Sequence, residues 1–359
     1  MSVGLIMAGG FGKRLWPESR LSYPKQLLRI EGRESFLQAT YRRTSHLFGP
    51  KNTYLIIREE LKEKILSQLS GVCMDNIIAE PQGRDTAPCI GFASIFIRKR
   101  RGDIPMVVLP ADHLIRNEER FAQILLAAAH QAEKNFLVTI GIKPTRAETA
   151  YGYLQIGERL KEVDGIPLFN VERFTEKPSH KKAKEFFEQG NFLWNAGIFA
   201  WKPSIILKEI RNHLPDLHQG LSRIEKALGT PEEEKVIREV YSSLPKISID
   251  YGVMEKAKGV VAISGDFFWD DIGSWEALER IFPKNKEGNI IRGLIEEKEN
   301  NNCILVNRED KVLAAIGLSN LVVINTKKGI LIASKEKVQK VKDLVDKFLR
   351  DERLRKYIE

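Results

Sequence analysis

Residues 1–28 read MSVGLIMAGGFGKRLWPESRLSYPKQLL, and this stretch sets the reading of the whole chain. VGLIM at 3–7 is apolar and too short for a helix, so it reads as a strand buried on both faces, as in a parallel sheet. Ala8, Gly9, Gly10, Phe11, Gly12, Lys13 and Arg14 follow. Glycines let main-chain amides come close to a ligand, and the two cations suit phosphate. The alternative is a tight strand exit with solvated basic side chains. A Walker A loop would need Ser or Thr where Arg14 stands, and a dinucleotide fingerprint would need glycine at Leu15. Neither fits.

Working outward, TYLII (53–57), NIIA (76–79), MVVL (106–109) and FLVTI (136–140) alternate with segments whose apolar residues recur at helical spacing. This alternation predicts an α/β, Rossmann-like domain with a mixed but mostly parallel sheet, in which ligands bind beyond the carboxyl ends of the strands. RKRR at 98–101 reads as the solvated last turn of a helix. From about residue 285 the texture changes to four short apolar runs separated by Asn, Gly, Asp and Lys, which reads as a β-meander or the coils of a small β-helix. A closing helix is expected with Val338, Val341, Leu344, Val345, Phe348 and Leu349 on one face. The expected domains are 1–283 and 284–359.

The chain has 359 residues, 43% of them hydrophobic, and a net charge of +9 from 57 Lys and Arg against 48 Asp and Glu. The positive excess suits anionic small substrates but is dispersed, with no aromatic–basic module for nucleic acid. No apolar run spans a membrane and no signal peptide is evident. Cys73, Cys89 and Cys303 lack metal or disulfide spacing, so a cytoplasmic setting is expected.

Four further stretches carry chemistry. PADH (110–113) follows a strand and puts Asp112 at its carboxyl end, and FTEKP (174–178) sets Glu176 beside Lys177. LWNAGIFAW (193–201) is a buried strand with one amide, Asn195, and FFWDDIGSW (267–275) frames Asp270 and Asp271 in aromatics. Singly, each has a structural alternative such as a helix cap or an arginine partner. Together, two remote carboxylates can hold one hard divalent cation, while a glycine loop and fixed cations take phosphates. No Ser-His-Asp grouping or nucleophile elbow is present.

MAGGFGKRLWPESRLSYPKQ, EPQGRDTAP, PADH, YGYLQIG, FTEKP, WNAGIFAW, VMEK and WDDIGSW, in that order, resemble the successive motifs of the mannose-1-phosphate guanylyltransferases, and the tail GLSNLVVINTKKGILIASK is also similar. The resemblance implies a nucleotidyltransferase domain, Mg²⁺, and the reaction of GTP with mannose 1-phosphate to GDP-mannose and pyrophosphate. It implies Gly9, Gly10, Gly12, Glu80, Arg84 and Thr86 for the nucleotide, and Arg14 and Lys25 for its phosphates. Asp112 and Asp271 match the metal ligands. Lys177 matches the group that grips the sugar phosphate, and Gly152, Glu176 and Asn195 match hexose contacts. Guanine offers two adjacent N–H donors that a carboxylate can accept, which fits Glu80. Asp85 departs from the asparagine usual in that block. Longer relatives carry an isomerase barrel after the coils, and with the chain ending at Glu359 no isomerase activity is expected. Rival readings are another hexose 1-phosphate, or a silent sugar-nucleotide sensor. Open strand edges in the tail would be covered in a homodimer.

Overall fold

The computed structural model describes residues 1–160 and 162–359. The chain packs as two compact units, residues 1–9, 38–111 and 115–269 in the first, and 10–37, 112–114 and 270–359 in the second. Chain order alone suggests a cut near Pro283, where helices give way to short strands. Packing also groups the glycine turn and residues 112–114 with the C-terminal part.

The strands in chain order are β1 (Val3–Ala8), β2 (Thr53–Arg58), β3 (Ile77–Glu80), β4 (Met106–Pro110), β5 (Leu114–Arg116), β6 (Leu137–Ile142), β7 (Tyr153–Arg159), β8 (Leu168–Thr175), β9 (Phe192–Trp201), β10 (Val260–Gly265) and β11 (Phe268–Asp270). Nine of them form the sheet of the first unit, in the order β3-β2-β1-β4-β9-β6-β10-β8-β7. β1 runs parallel to both β2 and β4, while β9 lies antiparallel between β4 and β6, so the sheet is mixed as expected. Side chains alternate across it. Met106 and Val108 join one core with Ile90 and Phe92 of the helix Thr86–Arg101. Val107 and Leu109 join the other with Phe121 and Ile124 of the helix Glu118–Glu133. The pairings Ala8↔Ile57, Met7↔Pro110 and Arg58↔Glu80 align the carboxyl ends of β1 to β4 along one margin of the sheet. Gly9 and Glu80 stand on that margin.

In the second unit, β12 (Ile290–Arg292), β14 (Ile304–Asn307) and β16 (Leu321–Thr326) pair in parallel, as do β13 (Ile295–Lys298) and β15 (Leu313–Ile316). Parallel pairing of successive short strands makes these the coils of a β-helix, which decides between the two expectations. β17 (Gly329–Ser334) then turns back antiparallel onto β16. Asparagine at the coil corners explains the composition. The Asn300 amide donates to Ala315 O at 2.9 Å, and the Asn307 amide to Leu294 O at 2.8 Å, satisfying main-chain carbonyls that turn inward.

The core of this unit joins Leu15 and Trp16, just past the glycine turn, to Trp275, Ile304, Val322, Ile324, Val341, Val345 and Ile358. Trp275 Nε1 donates to Trp16 O at 2.9 Å, and Trp16 Nε1 to Tyr357 O at 3.1 Å. The expected apolar face of the closing helix, which a short helix Glu352–Arg355 in fact follows, needs correction in two places. Val338 belongs to a preceding 3₁₀ segment, Lys335–Lys340, and the helix itself is Val341–Arg350. Leu344 is 46% exposed, because it lies at the rim of the stripe centred on Val341, Val345 and Phe348. Among the described residues no helix is long and apolar enough to cross a membrane.

Trp275 is fully buried. Trp275→Ala is therefore expected to lower unfolding free energy by about 3–5 kcal/mol, and Leu344→Ala by less than about 0.5 kcal/mol. Urea unfolding of the two variants checks this; equal losses would contradict the packing.

Candidate active site

In the second unit the glycine turn folds back on the PKQ element. Gly12 has φ of +73°, and a Cβ there would lie 2.5 Å from Lys25 Cβ, so both the turn and the close approach require glycine. Ser19 Oγ donates to Gly12 O at 2.5 Å and fixes the turn. Lys25 is only 6% exposed. Its ammonium lies 2.8 Å from Asp112 Oδ2 and donates to the main-chain carbonyl of Asp271. Three segments remote in sequence therefore meet at one buried cation. Burial opposes ionisation of Asp112, but the charge and hydrogen bond of Lys25, aided by His113, hold its carboxyl below the usual range.

The two loop cations differ in partners. Lys13 pairs with Asp346 of the helix Val341–Arg350 at 2.5 Å, whereas among the described residues the buried Arg14 Nε has no hydrogen-bond partner. Asp270 is held by Arg280, with Nη2 to Oδ1 at 2.8 Å, and accepts from Ile272 N at 2.8 Å. Asp271 Oδ1 accepts from Gly273 N at 3.1 Å. Among the described residues no cluster of three or more His, Cys, Asp or Glu forms a closed metal cage. Asp112, held ionised beside Lys25, and Asp271, whose main-chain carbonyl the same ammonium takes, carry the oxygen donors that a hard cation would use, with waters and phosphate oxygens as its other ligands.

The first unit carries two further clusters. Glu80, at the end of β3, is 3% exposed and accepts from the Tyr241 hydroxyl. A Cβ on Gly9 would lie 3.6 Å from Glu80 Oε2, so the main chain of Gly9 flanks the carboxyl, while a Cβ on Gly10 would meet nothing within 4 Å among the described residues. Burial pushes Glu80 up to about 7, with Tyr241, Cys89 and Arg58 only partly offsetting it. This is a core carboxyl, not a surface glutamate before a proline. The Arg84 guanidinium donates to Ser242 O, and Thr86 Oγ1 accepts from Ile249 N at 2.8 Å. Asp85 has φ of +71° and ψ of −178°, a conformation almost reserved for glycine, and its carboxylate caps the helix by accepting from Thr86 N at 2.8 Å.

Gly152, Glu176 and Asn195 are brought together. Asn195 N donates to Gly152 O at 2.8 Å, and a Cβ on Gly152 would lie 2.5 Å from Glu176 Oε2. Lys177 has φ of +43° and sets its ammonium 2.6 Å from Glu176 Oε1. Burial works against the Lys177 charge, but Glu176 and then Asp250 and Tyr251 raise its pKa above the ordinary value. Two members of these clusters escape sequence reading. Tyr241 lies in an ordinary amphipathic helix, and Asp250 precedes the VMEK block without spacing that marks it. The one sign for Asp250 is structural: it opens a π-helical turn, Asp250–Met254.

The nucleotidyl transferase family profile matches residues 3–288, and a mannose-phosphate isomerase/GMP-like β-helix domain matches 299–348. Mannose-1-phosphate guanylyltransferases of Klebsiella pneumoniae and Escherichia coli are 37% and 36% identical over 99% of the chain, which spans 76% of each. The chain belongs to this family. A crystal structure from Thermus thermophilus, described as a mannose-1-phosphate geranyltransferase, superposes with a TM-score of 0.86 at 36% identity, covering 96% of this chain and 98% of that one. Nucleotidyltransferases of this family act on a nucleoside triphosphate and a sugar phosphate and typically use a divalent metal.

Glu80 titrates at about 7 in the folded chain against 4.5 when unperturbed. Its folded pKa is raised, so its contribution to stability is complete below the unfolded pKa and is lost as pH rises through 7. The loss amounts to about 3 kcal/mol at 1.36 kcal/mol per pKa unit. Relative to the wild type, Glu80→Gln should therefore gain about 3 kcal/mol of unfolding free energy between pH 4.5 and 8. A difference that does not change with pH would contradict the burial of an uncompensated carboxyl.

Proposed function

We propose that the protein joins GTP to α-D-mannose 1-phosphate, giving GDP-mannose and pyrophosphate. A sugar-phosphate oxygen attacks the α-phosphorus in line. The bond from that phosphorus to the bridging oxygen breaks, and pyrophosphate leaves with the electron pair. The observation that carries this reading is the meeting of the glycine turn, Asp112 and Asp271 at Lys25 in a chain with such relatives. Gly9, Gly10 and Gly12 offer main-chain amides to the phosphates. Arg14, whose buried Nε lacks a partner among the described residues, and Lys25 neutralise charge on the triphosphate and on leaving pyrophosphate. Asp112 and Asp271 would hold Mg²⁺, which when bound neutralises phosphate charge. Arg84 and Thr86, beside the start of a helix, serve the nucleotide.

Glu80 accepts the paired N1–H and N2–H of guanine. Burial has pushed this carboxyl up to about 7 despite the Tyr241 and Cys89 hydrogen bonds, and guanine would bring two further donors. Lys177 grips the sugar phosphate, while Gly152, Glu176 and Asn195 contact the hexose. A cytoplasmic setting belongs to this reading and agrees with three free thiols.

Pyrophosphate release should be greatest with GTP, mannose 1-phosphate and Mg²⁺ together. Asp112→Asn and Asp271→Asn should each lower kcat by at least about 10²-fold, and Glu80→Gln should reduce the preference for GTP over other nucleoside triphosphates about tenfold or more. Full turnover without metal, or in either aspartate variant, would overturn the metal assignment; an unchanged base preference would overturn that of Glu80.

A further inference from the structure

We infer that Asp250 is a specificity-determining residue of the hexose subsite: its Oδ1 fixes the Asn195 amide, and its Oδ2 accepts a sugar hydroxyl beside the one taken by Glu176. This rests on the sugar-phosphate reading of that cluster.

The Asn195 amide has one allowed orientation. Its Oδ1 accepts from Thr139 Oγ1 at 2.9 Å and from Gly197 N at 3.1 Å, so the amino group is the end that meets Asp250, donating to Oδ1 at 2.9 Å. One N–H of Asn195 is thereby engaged and one is left for a ligand. Asp250 Oδ2 makes no side-chain hydrogen bond among the described residues. Asp250 sets that N–H and adds an acceptor next to it.

The same segment braces the neighbouring loop. Glu255 Oε1 accepts from Glu176 N at 2.7 Å, so the turn that begins at Asp250 also anchors the main chain at Glu176, next to the left-handed Lys177. The charged and titratable groups facing Asp250 are Glu176 and Lys177 from that loop and Tyr251 beside it. Lys177 pairs directly with Glu176 at 2.6 Å, which leaves Asp250 the less compensated carboxyl. Burial, and then repulsion from Glu176, raise it to about 7. Hydroxyl donors relieve such a pair, and a neutral polyol brings several at adjacent positions without adding charge. Two carboxyls around one ammonium suit a hexose carrying a phosphate: the ammonium takes the phosphate and the carboxyls take hydroxyls.

The test is Asp250→Asn in the full chain, a near-isosteric change that puts a donor where Oδ2 accepts. We expect KM for mannose 1-phosphate to rise about 10–100-fold, the range of one hydrogen bond to a charged group. KM for GTP should stay close to wild type, the melting temperature should not fall, since removing a carboxyl that burial raises can only spare stability above pH 7, and discrimination against glucose 1-phosphate should fall. In the wild type KM for the sugar phosphate should fall as pH rises through about 7, where Asp250 ionises, and this limb should vanish in the variant. An unchanged KM for the sugar phosphate, or a parallel loss in GTP binding and melting temperature, would overturn the proposal. Should the wild type prefer another hexose 1-phosphate, the mannose reading fails, and the same comparison on the preferred sugar decides the role of Asp250.

Discussion

A buried ammonium must find negative partners, and Lys25 finds them in the Asp112 carboxylate and the Asp271 carbonyl. Removing one partner of a buried, hydrogen-bonded charge costs about 3–5 kcal/mol, because the other is left uncompensated. That constraint ties residues 12–25, 112 and 271 into one arrangement, and the missing side chain of Gly12 makes room for it. The Asp112 carboxylate and the main chain of Asp271 are thus both fixed by the requirements of one lysine. The same unit gives Lys13 to Asp346 and, among the described residues, buries the Arg14 Nε without a partner, so one loop cation anchors while the other keeps a free donor.

Three carboxyls of the candidate sites separate by environment. Asp112 has a cation against it and is held ionised. Glu80 and Asp250 are buried with weaker compensation and rise to about 7. An acid held low is suited to a metal, which needs the anion; an acid raised by burial is suited to a ligand that brings hydrogen-bond donors. Asp270, adjacent in sequence to Asp271, is engaged by Arg280 and serves the fold.

Much of this was legible in the sequence, for reasons that can be named. β1, β2 and β4 were readable because a strand covered on both faces is a short continuous apolar run bounded by turn residues. The glycine turn was readable because Gly12 has a steric task no other residue can perform. Asp112 was singled out by its position at a strand end, whereas Asp271 was told from Asp270 only by the family resemblance. The grouping of residues 10–37 with the C-terminal coils was not readable, since it depends on Trp16 reaching Trp275 and Tyr357 across long separations. Leu344 misled because the helical stripe is narrower than the apolar pattern. Asp250 and Tyr241 were missed because their importance comes only from what they touch, Asn195 in one case and Glu80 in the other.

In the presence of the nucleotide, Asp112 and Asp271 are proposed to share one cation, and the catalytic reading stands on that sharing. Manganese binding to the protein with GTP, followed by electron paramagnetic resonance, tests it most directly in the wild type and in each aspartate variant. Asp112→Asn and Asp271→Asn should each weaken Mn²⁺ binding at least about tenfold, and the double variant should lose the same bound-ion signal. Wild-type affinity in either single variant would contradict it.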